Sequence, residues 1–394
     1  MTHTLSTILY AAMAGITVFA LAGALVQQDR RQDQVASLAT LLLALLAHAL
    51  GELVMAAELY RAAPHLAGAE IPLRMALGPA LYLYVRSLVS PEPVRFGGRD
   101  WFAFAGPALL LLICLPFLML SAEEKLALAD PLTRDPAHFR LALLACTAGM
   151  LMFLAFTIAY LAAAVRLQGR HRASVMQEYA NIERRSLDWL RVVLVVWSIA
   201  WLVYAVDRML GFVGASSPPL SLGLALLETA ALGAFAHLAL HQPQPAKKTH
   251  DADPVRAAIL PNDRMERVAA RLTAVLSANR FFADPDLSLT KLSEATGITK
   301  NHISETLSQH LGTNFFDFVN SHRIAEAQRL IADTDATVLE IAMDVGFNAR
   351  STFNTAFKKH TGATPSAYRK SVRDVGVAAA AEKTGVVAAP VMSE

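Results

Sequence analysis

The first 240 residues alternate long apolar stretches with short polar breaks, and the last third carries short amphipathic runs punctuated by glycine. A helix that crosses a bilayer core takes about 20 mostly apolar residues. Seven stretches approach that length: 5–26, 35–56, 71–89, 101–120, 141–165, 187–210 and 220–240. The third is the weakest, because it holds Arg74, Gly78, Pro79 and Arg86. Glycine and proline are tolerated in spanning helices when neighbours satisfy the freed backbone groups. A third stretch lying at the interface instead would leave six spans.

Beyond residue 240 the pattern changes. Residues 241–262 are polar, proline-rich and without periodicity, which predicts a flexible linker. Residues 265–278 show helical spacing, with Val268, Leu272, Val275 and Leu276 on one face. Leu289, Leu292 and Ala295 then line a short helix, Gly297 suits a tight left-handed turn, and Ile298 plugs the angle. Thr299 can cap a second helix that turns Ile303 and Leu307 inward. Its other face carries Lys300, Asn301, His302, Ser304 and Glu305.

The arrangement repeats. Thr337 caps 338–345, Gly346 makes the turn, Phe347 is the plug, and 350–360 forms a helix with Phe353 and Phe357 inward. Asn348, Arg350, Ser351, Asn354, Lys358 and Lys359 face outward. A single amphipathic helix over 316–332 would join the copies, and Gly362, Thr364, Pro365 and Tyr368 begin a closing helix. Two helix-turn-helix motifs in tandem predict DNA reading, each second helix entering a major groove by its N-terminal end. Arginine reads guanine through two hydrogen bonds and asparagine reads adenine. Lys358 and Lys359 suit phosphates. Glu305 either accepts from a cytosine or orients a neighbour.

Composition supports the division. Hydrophobic residues make up 54% and charged residues 17%, against about 25% charged in soluble domains, so much of the surface is expected to face lipid. The two cysteines, Cys114 and Cys146, lie inside apolar runs and give neither a disulfide framework nor a zinc spacing. No CxxC, HExxH, Walker or GxSxG pattern occurs. The expectation is therefore a protein that is not an enzyme and needs no cofactor or metal.

The first apolar run has no Lys or Arg before it, unlike a signal peptide. Ala22-Gly23-Ala24 imitates a cleavage site, but a retained first helix fits better. With seven spans and the N-terminus outside, inner segments hold Arg30, Arg31, Arg95, Arg99, Arg166, Arg170, Arg172, Arg184, Arg185, Lys247 and Lys248. Outer segments hold only Arg61, Lys125, Arg134 and Arg140. That bias follows the positive-inside rule and places the C-terminal third in the cytoplasm.

Ionisable groups at membrane depth often mark function. His48 and Glu52 lie one turn apart on the second stretch, Glu228 is near the middle of the seventh, with His237 further on, and Asp207 and Arg208 close the sixth. The His48/Glu52 pair and Glu228 are the candidates for a sensing pocket, with inter-helix hydrogen bonding as the alternative. Trp101, Trp189, Trp197, Trp201 and Tyr204 read as interface anchors and packing.

Residues 263–373 resemble the DNA-binding domain of the AraC/XylS family of bacterial transcription regulators. The resemblance runs through Ile341-Ala-Met-Asp-Val-Gly-Phe-Asn-Ala-Arg-Ser-Thr-Phe-Asn-Thr-Ala-Phe-Lys-Lys-His-Thr-Gly-Ala-Thr-Pro-Ser-Ala-Tyr-Arg. It implies a seven-helix domain whose two readers enter successive major grooves on one face of DNA. Thr355 departs from the pattern, since that position is usually basic in the family. The domain holds fourteen Lys/Arg and twelve Asp/Glu, so non-specific affinity should be modest, and binding should need two copies or tethering. The apolar part does not resemble the sugar-binding cupin common in the family and looks like the subgroup with a multi-span membrane sensor.

The expected architecture is all-α: a polytopic seven-helix transmembrane bundle (1–240), the linker (241–262), a cytoplasmic seven-helix domain with two helix-turn-helix motifs (263–373), and a disordered tail (374–394). The expected location is the bacterial inner membrane, multi-pass. Expected partners are double-stranded DNA, RNA polymerase, the lipid bilayer, a second copy of the chain, and an unknown small-molecule or membrane signal. Two other readings stay open: a membrane enzyme or transporter with an appended regulatory domain, and a passive anchor.

Overall fold

A computed structural model describes residues 2–27, 29–128, 132–183, 185–212, 218–242 and 260–384. Among them every regular element is helical, with one isolated antiparallel bridge, Tyr179 to Ser288. The expected linker at 241–262 falls mostly outside the described residues, as does the end of the tail from 385.

The chain packs as two units. One takes the described residues of Met1–Arg170 and Leu187–Thr249, the other those of His171–Ser186 and His250–Glu394. A single boundary at 240 therefore misses the second unit's share of the segment between two apolar helices. Ala180, Asn181 and Ile182 are buried in that unit.

In the first unit the helices are α1 (Thr2–Val26), α2 (Gln32–Ala56), α3 (Glu70–Arg74), α4 (Leu77–Val89), α5 (Gly98–Trp101), α6 (Ala105–Leu118), α7 (Ala122–Ala127), α8 (Pro136–Glu178), α9 (Asp188–Phe212) and α10 (Pro218–Leu240). The last eight residues of α8 belong to the second unit. Among the described residues, five helices are long and apolar enough to cross a membrane: α1, α2, α8, α9 and α10. The third and fourth expected stretches are not single long helices. The third breaks at Met75 and Ala76, between α3 and α4. The fourth is built from α5, a 3-10 turn at Phe102–Phe104, and α6. Mean apolarity reports composition and not backbone continuity, so it merged these pieces.

α1 packs on α2 and α10, α2 also on α4, and α9 on α10. The core is shared by Leu38, Leu41, Tyr84, Trp197, Trp201 and Phe235. Other large apolar side chains stand exposed on outer faces, among them Phe19, Leu112, Leu151, Ile158, Val192 and Leu202. The turn between α1 and α2 has a structural task besides its charge. Arg30 donates to the carbonyls of Ala239 and Leu240, and Gln27 also donates to Leu240. Arg31 donates to Ser87 and Ser90 at 2.9 and 2.8 Å. These guanidiniums satisfy carbonyls that the last turns of α10 and α4 leave without helical partners.

The second unit adds α11 (Asn262–Ser277), α12 (Leu289–Thr296), α13 (Lys300–Glu305), α14 (Phe315–Asp333), α15 (Val338–Asp344), α16 (Arg350–Thr361) and α17 (Pro365–Thr384). It has two small cores. Leu272, Leu276, Leu292, Ile303, Leu307 and Phe315 belong to the first, and Ile341, Ala342, Val345, Phe347, Phe353 and Phe357 to the second. α14 runs unbroken through both, with Phe318 and Val319 in the first core and Ile324, Ala327 and Ile331 in the second. α17 continues to Thr384, so residues 374–384 are helical where the sequence predicts disorder.

Candidate nucleic-acid interface and buried polar cluster

Each motif is fixed by its cap and its turn. The Ser288 hydroxyl accepts from the Lys291 N–H at the start of α12. Gly297 then takes φ 70°, and the Thr299 hydroxyl accepts from the His302 N–H to open α13. α13 relaxes into a π turn at Thr306–His310. In the second motif Thr337 and Glu340 form a reciprocal capping box at the start of α15. These hydrogen bonds hold the Glu340 carboxyl below the usual carboxylate range. Phe347, Phe353 and Phe357 are buried and stacked edge to face or tilted, the inward positions that the spacing predicts.

Gly346 needs its missing side chain. Its φ is 94°, and a Cβ there would stand 2.5 Å from the Ala283 carbonyl oxygen. Gly362 has φ 78° with open space around it. Gly346→Ala should therefore cost clearly more than Gly362→Ala, which carries only the left-handed penalty of about 1–2 kcal/mol. Hydrogen-exchange protection of the two variants checks this, and equal losses would count against the close approach at Gly346.

The predicted reading residues divide by their surroundings. Asn301, Asn348, Arg350, Ser351 and Lys358 are exposed, and Lys300, His302 and Asn354 are half-buried. Others are engaged within the unit. The Glu305 carboxylate accepts from the Leu260 N–H at 3.2 Å. Ser304 and Glu305 border a cleft that Gln177 also lines. Lys359 is exposed but paired with Asp317 at 2.7 Å. Thr355, at the position where the resemblance implies a basic residue, donates to the Ser351 carbonyl of its own helix.

The inward face of α14 holds a residue that the sequence reading passed over. Arg323 is fully buried. It donates to the carbonyls of Phe282 and Asp284 and to the Asn181 side-chain oxygen, each at 2.8 Å. It also lies over the Phe347 ring. Burial pushes the guanidinium down to about 10, so it still carries its proton at neutral pH. The signal was available, because Val319, Arg323 and Ala327 share one apolar stripe.

In the first unit His48 and Glu52, one turn apart on α2, each find a partner on another helix. His48 lies 3.5 Å from Glu228 on α10, and Glu52 accepts from Arg74 on α3 at 2.7 Å. Residues one turn apart on one helix point in nearly the same direction, and each here finds its partner on another helix. Arg74 and Arg208 both lie over the Tyr204 ring, at 4.6 and 5.3 Å. A cavity of about 130 Å³ adjoins the cluster, bordered by Glu52, Glu70, Arg74, Phe153, Tyr204 and Arg208. Trp197, Trp201 and Tyr204 are packed inside, whereas Trp101 is exposed.

Residues 292–371 match the helix-turn-helix domain family. This part of the chain is similar to AraC-type helix-turn-helix domains. An uncharacterized HTH-type transcriptional regulator of Staphylococcus aureus strain COL is 39% identical over 84 residues, which is 21% of this chain and 11% of that protein. The "Probable transcription factor PqrA" of Proteus vulgaris is 27% identical over 85 residues, 22% of this chain and 70% of that protein. The C-terminal domain of the two-component response regulator yesN from Fusobacterium nucleatum is 27% identical, covering 26% of this chain and 98% of that one, with a TM-score of 0.24. The chain thus spans about a tenth of the length of the Staphylococcus relative.

Proposed function

We propose that the chain is a membrane-anchored, sequence-specific DNA-binding transcription regulator. One observation carries the reading: two capped helix-turn-helix motifs share the single helix α14, and each presents an exposed reading residue at its second helix, Asn301 and Arg350. A reading helix contacts base edges from its N-terminal end, and that is where both residues sit. Contacts to RNA polymerase and to a second copy of the chain belong to the same reading.

Membrane attachment is supported by the five long apolar helices and their exposed apolar faces. Residues 171–186, which charge bias assigns to the inner side, pack in the same unit as the reader. That agreement supports an outside N-terminus and a cytoplasmic reader. The cavity beside Glu52, Arg74 and Arg208 is the proposed sensing site, with His48 and Glu228 behind it as an inter-helix pair. If the apolar unit is a passive anchor instead, replacing Glu52 and Glu228 with glutamine leaves regulated transcription unchanged.

The reader is tested by two variants with different signatures. Arg350→Ala should cost about 1–3 kcal/mol at the cognate site and relax its sequence preference. Lys358→Ala should weaken binding to all sequences alike and flatten the salt dependence by about one unit. Binding titrations of the full-length protein at several salt concentrations separate the two. Identical signatures would refute the division into base and phosphate contacts.

A further inference from the structure

The segment after α8 lies between two long apolar helices in sequence, yet it is built into the reader. Ala180 donates its N–H to the Leu287 carbonyl at 3.1 Å, and Tyr179 bridges to Ser288, the cap of α12. Asn181 is 4% exposed. Its side-chain nitrogen donates to the carbonyls of Pro285 and Gly346, at 2.6 and 3.0 Å. Its oxygen accepts from Arg323 at 2.8 Å.

These partners come from three places. Pro285 and Leu287 lead into the first motif, Gly346 is the turn of the second, and Arg323 stands on α14 where the two cores meet. A primary amide has two N–H donors and one carbonyl acceptor, and this site uses both kinds at once. Aspartate would satisfy Arg323 but face two carbonyl oxygens with negative charge. Alanine would take the donor from the Pro285 and Gly346 carbonyls and leave Arg323 with only its two backbone acceptors, Phe282 and Asp284.

We propose that residues 179–183 are an intrachain brace, with Asn181 as a positioning residue that ties the two motifs together and holds them in the spacing that binds DNA. The brace rests on the DNA-reading function proposed above. It is not an occluder, because Asn301 and Arg350 stay exposed with the segment docked. When two linked readers engage one duplex, fixing their spacing raises the effective concentration of the second binding event. The segment is continuous with α8, so rearrangement of that helix acts on the docked residues through the chain itself.

The test uses the full-length protein in lipid nanodiscs, with Asn181→Ala and Asn181→Asp. The probes are a duplex selected from a randomised pool by the wild-type protein, and a duplex bearing only half of that site. Spin labels at the exposed positions Gln309 and Lys370, with Cys114 and Cys146 replaced by alanine, report the spacing between motifs. Both variants should bind the whole site at least about tenfold more weakly, bind the half site as wild type does, and broaden the distance distribution. A merely stabilising role would weaken both duplexes alike, and that result overturns the brace. So does unchanged or tighter binding of the whole site, or an unchanged distribution. If Asn181→Ala does not fold, Ile182→Ala loosens the same segment without removing Arg323's partner and should shift both readings the same way. Failure of the wild-type protein to bind any duplex refutes the DNA-reading function, while the distance measurement still decides whether the segment sets the spacing.

Discussion

Replacing Arg323 with methionine is expected to destabilise the reader by about 3–5 kcal/mol, since the Phe282 carbonyl and the Asn181 side-chain oxygen are left without a donor, at about 1–3 kcal/mol each, and the Asp284 carbonyl keeps only the Leu287 N–H. Methionine keeps much of the stem volume and adds no charge, so the loss isolates the guanidinium's three hydrogen bonds. Arg323→Lys should recover only part of the loss. A single ammonium on a flexible stem cannot reproduce a planar fork aimed at three separate oxygens. Because the chain folds as two units, one melting temperature would mix their behaviour. Hydrogen exchange resolved along the chain is the suitable measurement. Protection should fall across α12, α14 and α15 together, while α1 and α2 keep theirs. Protection of the reader within about 1 kcal/mol of wild type would mean that these buried bonds contribute little net stability.

Glu52→Gln is the second large effect, and it falls in the apolar unit. Glu52 and Arg74 are both buried and lie 2.7 Å apart. Removing the carboxylate leaves a guanidinium without its counter-ion, which costs about 3–5 kcal/mol in a buried pair. Removing both charges is cheaper, because desolvation of each is then avoided. The double variant Glu52→Gln with Arg74→Gln should therefore be more stable than the Glu52→Gln single variant. Trp197 and Trp201 are buried in this unit, so tryptophan fluorescence in detergent follows its unfolding. A double variant as unstable as the single one would show that the ion pair is not what holds α2 to α3.

The two helix-turn-helix motifs were legible in the sequence because local rules define them. Thr299 and Thr337 cap, Gly297 and Gly346 turn, and the aromatic and aliphatic positions follow the helical period within a few residues. Exposure of Asn301 and Arg350 follows from the same period. The engagement of Glu305 with Leu260 and of Lys359 with Asp317 does not, because those partners come from other elements. The broken third stretch had a visible warning in Arg74, Gly78 and Pro79, but the break itself falls at Met75 and Ala76. The partners of His48 and Glu52 depend on which helices adjoin α2, and one helix's pattern does not encode that. The Asn181–Arg323 contact joins residues 142 positions apart. Local periodicity carries no information over that separation, and so the segment after α8 read as a plain connection.

The central claim is that a membrane-held chain reads DNA through both motifs. Genome-wide occupancy of the tagged full-length protein in its own host tests it most directly, compared with the Asn301→Ala/Arg350→Ala double variant. The account predicts discrete sites in the membrane-associated fraction that share a motif of two halves about one helical turn apart, and their loss in the double variant. Occupancy that the double variant retains, or no discrete sites for the wild-type protein, would contradict it.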